Sequence, residues 1–124
     1  MYIQVERENN MAYSVIIFPS NDASISDPFM YISIPIDVFK KMMYKTEING
    51  VLLSQLSLID QDEYSGDELL KIKEEVNELI KNQLVYQQDM QELLKLLQFA
   101  FDNKRRVLFT PFNWVHTPLV KFEL

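Results

Sequence analysis

The residues best suited to bind a metal ion are the closely spaced carboxylates that begin at Asp60 and Asp62. Oxygen ligands at such spacing are typical of calcium-binding loops. An EF-hand loop that started at Asp60 would need an oxygen ligand at position 5, glycine at position 6 and glutamate at position 12. This chain has Tyr64, Ser65 and Lys71 at those positions. The mismatches exclude an EF-hand, and we predict no metal site.

The groups that catalysis requires are sparse in this chain. His116 is the one histidine, and a catalytic base would need a nucleophile and an orienting carboxylate beside it. Gly50 and Gly66 are the two glycines, so a glycine-rich loop that binds phosphate is absent. Glu74 and Glu75 would point about 100° apart on a helix and would not converge. The sequence therefore predicts neither an enzyme nor a cofactor.

The location of the protein is predicted from what the chain lacks. Cysteine is absent, which excludes disulfides and favours a reducing compartment. The segment Met1–Arg7 does not have the basic and then apolar pattern of a signal peptide. No apolar run reaches the length of a membrane span, so we expect a cytoplasmic protein without membrane contact.

Charge is the strongest signal in the sequence. Residues 60–92 hold ten acidic and three basic side chains, a net charge of −7, whereas the whole chain carries −6. Such a concentration favours a surface that binds a basic protein, although acidity also serves solubility. With a pI near 4.7, the chain is not expected to bind nucleic acid, because phosphates must be met by Lys and Arg.

Sequence patterns predict strands first and helices later. Alternating or β-branched residues indicate four strands, at Tyr2–Glu6, Tyr13–Phe18, Phe29–Ile34 and Val51–Ile59. A turn at Glu8–Asn10 would join the first two strands, and Asn49–Gly50 would precede the fourth, which is also compatible with a helix. Apolar spacing over Val38–Met43 predicts a short helix that Asp37 caps.

The second half of the chain predicts two long helices and two short strands. Ser65 and Glu68 have the spacing of a capping box, and apolar stripes run from Leu69 to Leu84 and from Met90 to Phe101. One helix over residues 66–102 is the alternative, but such a rod is rare in a small domain. Asn103 would be the C′ residue of the second helix. Strands would follow at Val107–Thr110 and, as an edge strand, within residues 112–124, where Pro118 disfavours a central position.

These elements predict a single α+β domain over residues 1–124. Its antiparallel sheet would have about four to five strands and would pack against two to three helices.

The predicted partner-binding surface combines a capped loop with one face of a helix. Glu74 and Glu78 share a face because they lie four residues apart, although a solvated helix face would show the same pattern. Tyr64 and Tyr86, which lie near the acids in sequence, would serve as anchors. The predicted residues are Asp60, Asp62, Glu63, Tyr64, Asp67, Glu74 and Glu78. The cations Lys104–Arg106 would suit the end of a helix, or would contact a phosphate or an acidic partner.

Two stretches of the chain, Asp67–Ile72 and the helix-to-strand passage Leu93–Phe109, carry a family resemblance. The chain resembles the small acidic immunity proteins of bacterial polymorphic and contact-dependent growth inhibition toxins. This resemblance implies inhibition of a cognate toxin, often a nuclease, by covering its active site or substrate groove. These proteins are diverse, so the resemblance transfers no residue role by position. The alternative function is an acidic secretion or assembly chaperone, which would act as a dimer and present an apolar groove.

Overall fold

A computed structural model describes residues 12–20, 27–45, 52–112, 114 and 117–123. The predicted strand at Tyr2–Glu6, the turns at Glu8–Asn10 and Asn49–Gly50, and His116 all lie outside these residues. The described strands are β1 (Ala12–Ile17), β2 (Phe29–Pro35), β3 (Asp62–Tyr64), β4 (Val107–Thr110) and β5 (Leu119–Lys121). The described helices are α1 (Ile36–Lys45), a 3₁₀ turn at Leu53–Gln55, α2 (Asp67–Lys81) and α3 (Gln87–Asp102).

The five strands form one sheet in the order β3-β4-β1-β2-β5. In the central strand β1, Val15 pairs with Ile32 on one side and with Phe109 on the other, and both pairings are antiparallel. Strand β3 is antiparallel to β4, whereas β5 runs parallel to β2. The α+β class and the strand and helix numbers are confirmed. The sheet is mixed because β5, at the outer edge of β2, runs parallel to its neighbour, whereas the other pairings are antiparallel. Pro118 directly precedes this edge strand, as predicted.

The core lies between one face of the sheet and the helices. Tyr13, Val15 and Ile17 alternate along β1, and all three belong to the buried cluster that includes the apolar stripes of the helices. The ring of Tyr13 stacks on Phe39 of α1, with 3.6 Å between ring centroids. Ile16 points to the opposite face and is also fully buried.

Residues 66–102 form two helices, as predicted, because the chain turns sharply after α2. Gln83 has a positive φ of 61°, and the next amide, of Leu84, donates to the carbonyl of Leu79 at 2.9 Å. This geometry is a Schellman helix end. The same motif ends α3, but Lys104 holds the left-handed C′ position with φ 56°, and Asn103 is the C-cap. The prediction that Asn103 would be the C′ residue is therefore wrong by one position.

The prediction of a strand over Val51–Ile59 is wrong for the described residues 52–59. This stretch contains the 3₁₀ turn, and side chains satisfy its backbone groups where a strand would use a neighbouring strand. The Glu75 carboxylate accepts hydrogen bonds from the amides of Leu52 at 3.1 Å and Leu53 at 2.9 Å. The Tyr13 hydroxyl donates to the carbonyl of Ser57 at 3.1 Å. The strand in this region is β3, within the predicted acidic loop.

We expect Glu75→Ala to lower the free energy of unfolding by about 2 kcal/mol, because two amides lose a charged acceptor. Glu75→Gln keeps one acceptor oxygen and should cost about half as much. Glu74→Ala is the matched control: its side chain is exposed, and its effect should stay within about 0.5 kcal/mol. Urea denaturation followed by circular dichroism measures all three. Equal effects of Glu75→Ala and Glu74→Ala would show that the carboxylate does not hold this segment.

Candidate protein-binding surface

Helix α2 presents three acids to solvent on the side opposite its buried stripe. At about 100° per residue, Asp67, Glu74 and Glu78 fall within an arc of about 40°. All three are exposed, whereas Leu69 and Val76 on the other side are fully buried. The helix therefore packs its apolar stripe on the core and leaves these carboxylates in water. Lys71 and Lys81 are exposed on the same side, which reduces the net charge of this face to −1.

The acids of β3 point to opposite faces of the sheet, because successive side chains of a strand alternate. Glu63 lies on the face away from the helices and forms an ion pair with Arg106, with 3.1 Å between Oε2 and Nη1. The Arg106 guanidinium also lies over the ring of Phe18, 4.4 Å from its centroid. The charge of Glu63 is thus offset within the molecule, and as a solvent-exposed pair it adds little stability.

Asp62 points toward the core side of the sheet and is partly buried. Its Oδ2 atom is buried and has no hydrogen-bond partner among the described residues. Burial raises the pKa of this carboxyl group, and the nearby charge of Asp60 raises it further. Because β3 is an edge strand, an inward-pointing charge of this kind discourages another strand from adding to the sheet.

Asp62→Asn should increase the free energy of unfolding at pH 7. A raised folded-state pKa means that folding disfavours the ionised carboxylate, so the wild type carries a penalty above that pKa. The penalty disappears as the pH falls through the folded-state pKa toward the unfolded value of about 3.9. Water screens this partly exposed group, so we expect a gain below about 1 kcal/mol. Urea denaturation of both proteins from pH 7 to pH 3.5 measures the difference, and a gain that grows on acidification would contradict the explanation.

Of the two predicted anchors, Tyr86 is 69% exposed, whereas Tyr64 lies in the core with 6% of its surface exposed. Its ring packs edge-on against Phe109, and its hydroxyl donates a long hydrogen bond of 3.4 Å to the carbonyl of Leu52. Burial, with the charge of Asp62 as the second cause, raises the pKa of Tyr64 to about 12. In this structure Tyr64 therefore positions β3, and its ring is not on the surface.

Other acids of the segment have structural partners. Glu68 accepts a hydrogen bond from the Ser65 amide at 3.2 Å, which is one half of the predicted capping box. The other half does not form, because Gly66 is the N-cap and no side chain caps the helix. Glu92 forms a 3.8 Å ion pair with Lys121. The exposed acids left without a hydrogen bond or ion pair to the described residues include four of the predicted set: Asp60, Asp67, Glu74 and Glu78.

The cations after α3 are mainly structural. Lys104 ends the helix, and Arg105 is buried with 6% of its surface exposed. The Arg105 guanidinium donates through Nε to the carbonyl of Phe18 at 2.7 Å and through Nη2 to the carbonyl of Pro28 at 2.8 Å. Burial lowers the pKa of Arg105, and the charge of Asp27 acts in the opposite direction. The sequence predicted that these cations would suit a helix end or would contact a ligand. It did not predict that Arg105 connects the end of β1 to the chain just before β2.

Ile59 is a surface residue that the sequence patterns did not single out. It lies in the segment predicted as a strand, where an isoleucine is expected to be buried. In the structure it is 77% exposed, directly before Asp60. The sequence feature that could have indicated a turn at Ile59 is the nearby Ser57, because serine favours turns.

Comparison with known proteins finds no matching family model, no matching curated protein and no matching solved structure. Within the described ranges, no group of three or more acidic or histidine side chains is placed to hold a metal ion. None of the helices in the described part of the chain combines the length and apolar character needed to cross a bilayer.

Proposed function

We propose that this protein is a non-enzymatic inhibitor that binds a basic protein and covers its functional surface. By resemblance, that partner is a cognate toxin domain, such as a nuclease, in the bacterial cytoplasm. The observation that carries the proposal is the set of exposed acids Asp60, Asp67, Glu74 and Glu78, which we name the acidic surface. It comprises the acid at the turn before β3 and the three acids on the outer face of α2.

The acidic surface suits recognition of a cationic protein surface. Its four carboxylates are already solvated and make no hydrogen bond or ion pair with the described residues, so binding need not break an internal contact. Opposite charges steer the two proteins together and suppress wrong partners. A nuclease domain must attract phosphates with Lys and Arg, so its substrate groove has the charge that these carboxylates complement.

The chaperone alternative requires an apolar groove and a dimer. The described surface contains a groove of about 150 Å³ between α1 and the turn after α2. Charged and amide side chains, including Lys41, Gln83 and Asp89, line part of it. A second, shallow depression is lined by Tyr86 and three glutamines. The first groove is also lined by Val38, Leu84, Val85 and Tyr86, but it is smaller than a typical ligand pocket, so these two concavities of the described residues do not specifically support that alternative.

The test is capture of the partner from the native host with the tagged full-length chain, followed by identification with mass spectrometry. The captured protein is then expressed and purified, and its affinity is measured by calorimetry at 50 and 300 mM salt. We expect a basic protein whose affinity falls at least about tenfold at the higher salt concentration. Failure to capture a basic protein, or an affinity that does not change with salt, would contradict the proposal. Salt-independent binding by a dimer of this chain would favour the chaperone.

A further inference from the structure

A groove lies where α1, the turn after α2 and the first turn of α3 meet. Helix α1 contributes Val38 and Lys41, which share a helix face because they are three residues apart. Leu84, Tyr86 and Asp89 contribute to the lining from the turn and from α3. The groove has a volume of about 150 Å³, which is small for a drug-sized ligand. A cavity of about this volume still accommodates a benzene ring, so one small apolar group fits.

The turn that forms this groove is held by backbone hydrogen bonds and by one buried side chain. The amide of Gln83 donates to the carbonyl of Ile80 at 3.0 Å, and the amide of Leu84 donates to the carbonyl of Leu79 at 2.9 Å. Val85 has 6% of its surface exposed and belongs to the core cluster. Because the groove is built on these contacts, binding would require little additional ordering of the backbone.

Two opposite charges line the groove without pairing with each other. Lys41 and Asp89 are both exposed, and their side chains make no hydrogen bond or ion pair with the described residues. Exposed charges alone are ordinary on a protein surface, but these two share one concavity with apolar side chains, to which the 69% exposed Tyr86 adds its ring. A simple anion would be repelled by Asp89, and a simple cation would be repelled by Lys41. The ligand that matches the groove therefore carries both charges and an apolar group.

We propose that this groove binds a free α-amino acid with an aliphatic side chain of about the size of leucine. The carboxylate of the ligand pairs with Lys41, its ammonium group pairs with Asp89, and its side chain packs on the apolar lining. A free amino acid carries both charges on one carbon atom, whereas the two charged ends of a peptide are far apart. The inference goes beyond the proposed function, because it uses none of the residues of the acidic surface.

The test is an NMR titration of the isotope-labelled full-length chain with L-leucine, in which the backbone amide signals are followed. We expect saturable shifts at residues 83–89 and a dissociation constant in the millimolar range, which is the affinity that a ligand of so few atoms reaches. Two analogues test the charges separately: isocaproate lacks the ammonium group, and isoamylamine lacks the carboxylate. Each should bind at least about fivefold more weakly than L-leucine, because one exposed ion pair is lost.

Matched substitutions locate the site. Lys41→Gln and Asp89→Asn should each weaken the binding of L-leucine about fivefold, because each removes one charge from the groove. Two controls should leave binding unchanged: Lys40→Gln, at an exposed lysine that does not line the groove, and Asp67→Asn, at the opposite end of α2. All four side chains are exposed, so the fold should persist, and the NMR spectrum of each variant verifies it.

Three outcomes would overturn the inference. The first is the absence of saturable shifts at residues 83–89. The second is binding of both analogues as tightly as L-leucine, because the groove would then recognise the apolar group alone. The third is an equal loss for Lys40→Gln and Lys41→Gln, which would indicate a general effect of charge. None of these outcomes involves the basic partner, so failure of the amino-acid site is distinguishable from failure of the proposed function.

Discussion

Replacement of Arg105 by methionine is expected to lower the free energy of unfolding by about 3 kcal/mol. The buried guanidinium donates to the carbonyls of Phe18 and Pro28, and it therefore ties the end of β1 to the chain just before β2. It also lies over the ring of Phe99 in α3, 5.5 Å from the centroid. Methionine fills a similar volume but leaves both carbonyls without their donor, and unpaired buried acceptors are costly.

Two further substitutions show that the geometry of Arg105, rather than its charge, is responsible. Arg105→Lys keeps the charge but lacks the planar fork, so it should still cost about 2 kcal/mol. Arg106→Met removes the neighbouring cation, whose ion pair with Glu63 is exposed, and should cost less than about 1 kcal/mol. Chemical denaturation monitored by circular dichroism gives all three values. Similar losses for Arg105→Met and Arg106→Met would contradict the structural role.

The long helices and the central strands were predictable because their signals are local. The apolar stripes from Leu69 and from Met90 repeat at helical intervals and become the buried faces of α2 and α3. Likewise, the β-branched and aromatic run at Tyr13–Phe18 becomes the central strand β1, which is buried along most of its length. In both cases the side chains that determine the element lie within the element itself.

The conformation of residues 52–59, within the predicted strand Val51–Ile59, could not be predicted in this way, because it depends on distant residues. The carboxylate that binds the amides of Leu52 and Leu53 belongs to Glu75, more than twenty positions later in the chain. Its leucines suit a strand or a helix equally well by pattern. Only the packed structure brings Tyr13 and Glu75 to this segment, and their hydrogen bonds select the turn.

The negative charge of the candidate surface was predictable from the sequence, but the residues that form the surface were not. A count of acids treats Glu63, Glu75 and Glu92 alike, yet the structure gives each a partner inside the protein. Tyr64 appears from sequence to be an anchor near the acids, but it alternates to the core face of β3. Among the predicted residues, the exposed acids that make no hydrogen bond or ion pair with the described residues are at the turn before β3 and on the outer face of α2.

Reversal of the acidic surface is expected to reduce affinity for the basic partner at least about 100-fold. The variant carries Asp60→Lys, Asp67→Lys, Glu74→Lys and Glu78→Lys. Each rim carboxylate contributes modestly to an exposed ion pair, but four reversals also place like charges opposite the partner, and that repulsion is costly. The fold should persist, because all four side chains are exposed and make no hydrogen bond or ion pair with the described residues.

The charge-matched control reverses four exposed acids outside the acidic surface, Asp37, Asp89, Asp102 and Glu123, of which Asp102 accepts a hydrogen bond from Gln98. Each reversal adds two charges, so four add eight and both variants move from −6 to +2. The total charge is therefore identical, and only its position differs. A loss of affinity that depended on net charge alone would appear equally in both variants.

The most direct measurement of the central claim is the dissociation constant of the purified basic partner for these two variants and the wild type. Calorimetry at physiological salt provides it, and circular dichroism verifies the fold of each protein. We expect at least about a 100-fold weaker complex for the acidic-surface variant and a change of less than about fivefold for the control. Equal affinities of the wild type and a folded acidic-surface variant would contradict it.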